Sequence, residues 1–219
     1  YTVTRAKKMW FDNFSVSGGM QQTYVPDDNF ESYLEANNMG NGIAQDHYVT
    51  TANINAVTSL NVSSLNIADL TGINDFIALT WLGCYNNQLT SLDVSQNTAL
   101  TFFSCHTNLL TSLDVSQNTA LDTLFCGSNQ IDSLDLSNNT ALTHFRCYNN
   151  QLTSLDVSQN IALEYFKCDF NQLTTLDVRN GNNTNFTDFL ASNNTNLSCI
   201  NVDDPVYSTA NWTDIDPWA

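Results

Sequence analysis

Five cysteines stand at Cys84, Cys105, Cys126, Cys147 and Cys168, each 21 residues after the one before. Thiols in register could ligate a soft metal or run redox chemistry. Asp93, Asp114, Asp135, Asp156 and Asp177 keep the same period, and carboxylates so stacked could hold calcium. A third set is less regular. Arg146 and Lys167 share one column, no Lys or Arg lies between Met9 and Phe145, and around the pair stand Trp81, Tyr85, Phe102, His106, Phe125, His144, Tyr148, Tyr165 and Phe170. The chemistry open to this set is recognition: rings stack on sugars or fill protein pockets, and the cations could pair a carboxylate or sulfate.

The chain has 219 residues, with 22 acidic side chains against 6 basic ones and a net charge of −16. That excludes a nucleic-acid binder held by phosphate contacts. Asn occurs 31 times, more than all 28 charged residues together, so polar contacts must be mostly amides and hydroxyls. No apolar run approaches the roughly 18 residues of a membrane span, and the sequence opens on Tyr1 without a basic-then-apolar leader, so the expectation is a soluble, processed or excised piece of a longer protein. Enzyme signatures are missing: there is no HExxH, no GxSxG and no phosphate-cradling glycine loop, and His106 and His144 have no reactive Ser or Cys on their own face. The expectation is a non-catalytic protein without a cofactor.

The 21-residue period marks a solenoid. The units begin LTWLGCYNNQLTSLDVSQNTA at Leu79 and recur from Leu100, Leu121, Leu142 and Leu163, with a less regular one from Phe186. Apolar residues recur at Leu79, Leu82, Cys84, Leu89, Leu92, Val94 and Ala99 and their equivalents. Burying seven such side chains yields about 10 to 20 kcal/mol. Fixing the unit's backbone costs about 20 to 40 kcal/mol. One unit therefore cannot fold alone, and stacking at about 4.8 Å, with two parallel ladders per turn, is compulsory.

The pattern LxxLxCxxN, closed by Asn87, Asn108, Asn129, Asn150 and Asn171, resembles the leucine-rich-repeat signature, and LTSLDVSQN is similar to the second half of its 21-residue bacterial variety. The resemblance covers roughly two-thirds of the chain. It implies a leucine-rich-repeat solenoid, a right-handed superhelix of parallel β ladders with few helices, in which an inward Asn ladder caps the turns. It also implies a secreted or cell-surface bacterial protein that carries additional modules in the same parent chain.

Residues 57–203 are expected to hold the repeats, with 57–78 a divergent first coil. Residues 24–56 form a helical N-terminal cap, with Asp27 or Asp28 as N-cap and Phe30, Tyr33 and Leu34 at helical spacing. Residues 204–219, with Trp212, Ile215 and Trp218, form an irregular lid. Residues 1–23 are a tail, or the last strand of a preceding module around Trp10, Phe14 and Val16 with a linker.

The cysteine column is expected to be buried and reduced, because parallel side chains keep Cβ atoms about 5 Å apart where a disulfide needs about 3.8 Å. Cys199 falls at an outward position, and the resemblance implies a mate beyond residue 219. The Asp column faces out, where neighbours about 5 Å apart repel by about 0.8 kcal/mol in water. Hydroxyl and backbone donors are the ordinary remedy, and a calcium ladder is the sharper one. Function is sought where the units differ, on the first strand, whose aromatic face is expected to bind a protein or a glycan. The other reading is a passive spacer, or an accessory module of a larger carbohydrate-active enzyme.

Overall fold

The computed structural model describes residues 20–215. The expected strand around Trp10, Phe14 and Val16, and Pro217 and Trp218 of the lid, lie outside the described residues.

The chain opens with strand β1 (Gln22–Tyr24) and helix α1 (Asp28–Ala36), followed by β2 (Tyr48–Thr50) and the short helix α2 (Thr51–Ile54). Asp27 is the N-cap of α1, its carboxylate accepting the backbone N–H of Asn29 and of Phe30 at 3.0 Å each. Phe30 and Leu34 face inward on the next turn and are buried. β1 pairs antiparallel with β2, a hairpin that the helical spacing did not announce. It takes Gln22 and Thr23 out of the segment assigned to the tail, and the buried Thr23 hydroxyl donates to Asp75 at 2.5 Å.

The coils follow as β3 (Ser59–Asn61), β4 (Trp81–Gly83), β5 (Phe102–Ser104), β6 (Thr123–Phe125), β7 (His144–Arg146), β8 (Ser154–Asp156), β9 (Tyr165–Lys167), β10 (Thr175–Asp177), β11 (Asp188–Leu190) and β12 (Ile200–Asn201), before helix α3 (Pro205–Asn211). The first-strand ladder is continuous: β3, β4, β5, β6, β7, β9 and β11 form one parallel seven-stranded sheet. Its register aligns Trp81 with Phe102, Thr123, His144, Tyr165 and Asp188.

The second ladder is shorter than two per turn requires. Among the described residues only β8, β10 and β12 pair there, and the equivalent LTSLDV stretches of the three preceding coils form no strands. There the Asn of SQN links successive coils. The Asn118 amide donates across the coil boundary to the carbonyls of Val94 and Asn97, both at 3.0 Å, and Asn139 does the same to Val115 and Asn118. Side chains thus bridge these coils although their second-strand backbones do not pair. Ala99, expected inside, is exposed, because the chain leaves the core between Asn97 and Leu100.

The expected Asn ladder carries more bonds per residue. The Asn108 amide nitrogen donates to Cys84 O (3.1 Å) in the previous coil and Cys105 O (3.0 Å) in its own, while its oxygen accepts from Leu89 N (3.0 Å). Asn129, Asn150 and Asn171 repeat this geometry. Each removes two carbonyls and one N–H from the list of buried groups that would otherwise go unpaired.

The core beneath is a stack of like residues. Phe145 lies on Phe166 at 5.6 Å, Phe166 on Phe189 at 5.5 Å, and Trp212 closes the far end against Phe189 at 4.4 Å. Beside this stack the five-cysteine column is buried, all six cysteines are free thiols, and Cys199 is exposed. Burial raises the pKa of each of the five, that of Cys126 to about 12.

Asn150→Ala strands Cys126 O, Cys147 O and Ile131 N and is expected to cost about 3 kcal/mol. Gln151→Ala, on the exposed neighbour, should stay within about 0.5 kcal/mol. Urea unfolding of the two variants checks the contrast. A thiol reagent should label one cysteine, Cys199, in the folded protein and the remaining five only after denaturation.

Candidate functional site

Alternation along β4 to β9 sends one residue in, to the Leu and Phe stack, and its neighbours out to a common face. The outward residues of successive coils therefore meet at ladder spacing, and here they are aromatic. Trp81 stacks on Phe102 with centroids 4.9 Å apart and planes 4° off parallel. Phe102 meets Phe125 edge-on at 5.7 Å. In the next column Tyr85 stacks on His106 at 4.6 Å, and nearer the C-terminal end His144 stacks on Tyr165 at 5.7 Å. Most of the strip is thus half-buried in itself, while His144 and Phe170, the latter 55% exposed, stand clear of the surface.

Two glycines make room for this layer. A Cβ at Gly83 would lie 2.7 Å from the Trp81 ring, and one at Gly127 would lie 2.8 Å from the Tyr148 ring. Three residues after each of β4, β5, β6, β7 and β9 the chain passes through a left-handed residue, Asn86, Thr107, Ser128, Asn149 and Phe170, with φ between 53° and 58°. Asn takes this conformation readily, whereas Thr and Phe do so at a cost. The turn is set by the stack and imposed on whatever residue occupies it, and it lifts Phe170 outward.

The two cations fare differently. Lys167 is already spent: it pairs with Asp188 at 2.9 Å, and Tyr165 together with Asp188 holds its pKa up. Arg146 is clamped between the rings of Phe125 (4.4 Å) and Tyr165 (4.7 Å), and among the described residues no carboxylate forms an ion pair with it. Its Nε is buried without a hydrogen-bond partner, as is Oδ1 of Asp169 in the next coil. Burial pushes the Asp169 carboxyl above the usual range. His106 is lowered by burial and then by Arg146, which favours the neutral ring. Sequence reasoning missed Asp188 as the partner of Lys167, because Tyr165 to Asp188 spans 23 residues and the period breaks there.

The Asp column turns onto its own chain. Asp93 accepts the N–H of Ser95 (2.9 Å), Asp114 that of Ser116 (2.8 Å), Asp135 that of Ser137 (2.9 Å) and Asp156 that of Ser158 (2.8 Å). Asp177 takes the N–H of Arg179 (3.1 Å) and forms an ion pair with its side chain. These bonds hold Asp93, Asp114 and Asp135 below the ordinary carboxylate range, and the Arg179 side chain does so for Asp177. The donors weighed as the ordinary remedy for stacked charge are in place. The second Asn column, Asn97, Asn118, Asn139 and Asn160, was missed, although its signal was printed in every SQN or SNN of the repeat.

Comparison with known proteins agrees with this architecture. No family model matches the sequence. Internalin J of Listeria monocytogenes is 35% identical over 87 residues, 38% of this chain and 9% of that protein, so the chain spans less than a tenth of its length. Among solved structures, internalin C2 of the same species superposes with a TM-score of 0.62 at 19% identity, over 90% of this chain and 97% of that one. A leucine-rich-repeat protein of Leptospira interrogans gives 0.56 at 24% identity, over 70% of this chain and 40% of that one. At these identities the structures establish the fold.

The pKa directions have opposite consequences. Asp93, Asp114, Asp135 and Asp177 are depressed on folding, so their stabilisation is complete above the unfolded value, near pH 4, and is lost as the pH falls through the lower folded values. Asp169 is raised, so its contribution is present below the unfolded value and lost as the pH rises through the folded one. Asp169→Asn is therefore expected to raise the thermal midpoint at pH 7 and to leave it unchanged near pH 3. Paired melting curves at the two pH values measure this.

Proposed function

Because the chain is a leucine-rich-repeat solenoid of the bacterial 21-residue type, we propose that it is a non-catalytic interaction module that binds a protein partner through the first-strand sheet. The binding face runs from Trp81 to Phe170 and includes Tyr85, Phe102, His106, Phe125, His144, Arg146, Tyr148, Tyr165 and Lys167. The setting we assign is secreted or cell-surface, in a longer parent chain, as the likeness to internalin J and the repeat type suggest.

The observation that carries the choice of partner is the stacking itself. A sugar ring needs an open aromatic face, and here the faces are turned toward one another, with Trp81 on Phe102, Tyr85 on His106 and His144 on Tyr165. Ring edges, the indole N–H and phenol hydroxyls remain, which suit the mixed apolar and polar surface of a protein. Arg146 adds a fixed anchor. A guanidinium held between two rings has lost its rotamer freedom before binding, and its terminal nitrogens can fork onto a partner's carboxylate.

A surface-protein and glycan-array screen with wild type beside Trp81→Ala, Arg146→Ala and Tyr148→Ala tests this reading. The expected result is a protein ligand whose affinity falls at least about 10-fold, or about 1.4 kcal/mol, in each variant. Asp135→Asn, on the opposite flank, should leave it unchanged. A glycan ligand lost in the same variants would keep the face and replace the partner. A ligand indifferent to all of them would move the function off this face.

A further inference from the structure

The N-terminal cap holds a cluster that the repeat architecture does not use. Asp28 in the first turn of α1, Glu31 one turn on and His47 just before β2 bring one ligand atom each within 4.8 Å of one another. His47 Nε2 lies 3.0 Å from Asp28 Oδ1. Among the described residues this is the only place where three such donors converge.

Glu31 is the unusual member. Its side chain lies on a residue only 1% exposed, yet the only Lys and Arg among the described residues are Arg146, Lys167 and Arg179, all in the repeats. A buried carboxylate ordinarily has a cationic partner or a metal. Its oxygens accept one N–H each, from Asp46 and His47 at 3.1 Å, which fixes the carboxylate and leaves a lone pair on each oxygen. Glu35 shows that tethering this loop needs nothing more. It accepts Asn41 N at 2.6 Å and Gly42 N at 3.0 Å, on the same helix and loop, with neither His nor Asp in a comparable cluster. Asp28 and His47 are therefore surplus to the tether.

We propose that Asp28, Glu31 and His47 form a divalent-metal site that clasps the 40–47 loop to α1, with zinc as the preferred ion. One imidazole nitrogen and two carboxylates match zinc, leave a fourth position for water, and suit calcium poorly, since calcium takes oxygen ligands alone. The metal supplies the positive charge that the cap lacks. It spans two segments 16 residues apart, Glu31 and His47, so it stabilises the folded cap over the unfolded chain.

The test uses the untagged chain carrying Cys199→Ser, which removes the exposed thiol as a competing ligand. Calorimetry with zinc chloride should give one ion per chain, and about 100 µM zinc should raise the thermal midpoint by about 5 °C. His47→Ala and Asp28→Asn alter exposed side chains and leave the Glu31 tether intact, and each should weaken zinc at least about 30-fold and abolish the shift. Manganese should bind more weakly than zinc, and calcium more weakly still. Absence of binding up to 1 mM zinc, equal affinity in His47→Ala, or a preference for calcium over zinc would each overturn the proposal.

Discussion

The structure depends on one interaction, the primary amide of an inward Asn bridging two coils. Each 21-residue turn bends too tightly for all its own backbone groups to pair, and burying a bare carbonyl costs about 1 to 3 kcal/mol. An amide offers both donors and an acceptor on a short, stiff stem, so Asn108 can satisfy Cys84 O, Cys105 O and Leu89 N at once. A carboxylate lacks the donors, and Gln is one methylene too long for the same geometry. The abundance of Asn in this chain follows partly from that requirement.

Once the coils are locked in register, like residues stack on like. Apolar columns gain from this, as the Phe145, Phe166 and Phe189 stack shows. Charged columns must find relief in their own coil or the next. The Asp column finds it in backbone N–H groups two residues along, and Lys167 finds it in Asp188. Arg146 finds rings instead of a carboxylate, and Asp169 keeps an oxygen without a partner. The least compensated polar groups on the first-strand sheet thus stand side by side at its C-terminal half, amid its aromatic residues. The binding face we propose includes that half, where the scaffold's rules are left partly unsatisfied.

The ends of the stack face a different problem, since the first and last coils have no neighbour to lend hydrogen bonds. At the N-terminal end a hairpin and α1 cover the core, and two carboxylates of that helix draw the 40–47 loop against it. At the other end Trp212 and Phe186 stack at 5.7 Å over the last Phe column. One end is sealed by polar tethers and the other by rings, and the acidic cluster with its single imidazole belongs to the first.

The sequence by itself determined the solenoid, because a strict period forces every unit into one conformation, and apolar spacing alone says which side chains that conformation buries. Cys84 and its equivalents, Leu82 and Asn87 were legible for that reason. It also fixed which outward positions share a column, since a column is arithmetic on the period. Only the tertiary structure decided what happens within and between columns. That the rings of Trp81 and Phe102 meet face to face, that Lys167 is spent on Asp188 while Arg146 is not, and that three coils forgo the second ladder all depend on side-chain rotamers and on breaks in the period. The hairpin of β1 and β2 and the meeting of His47 with Asp28 and Glu31 join residues outside any repeat, and no periodicity records a contact that occurs once.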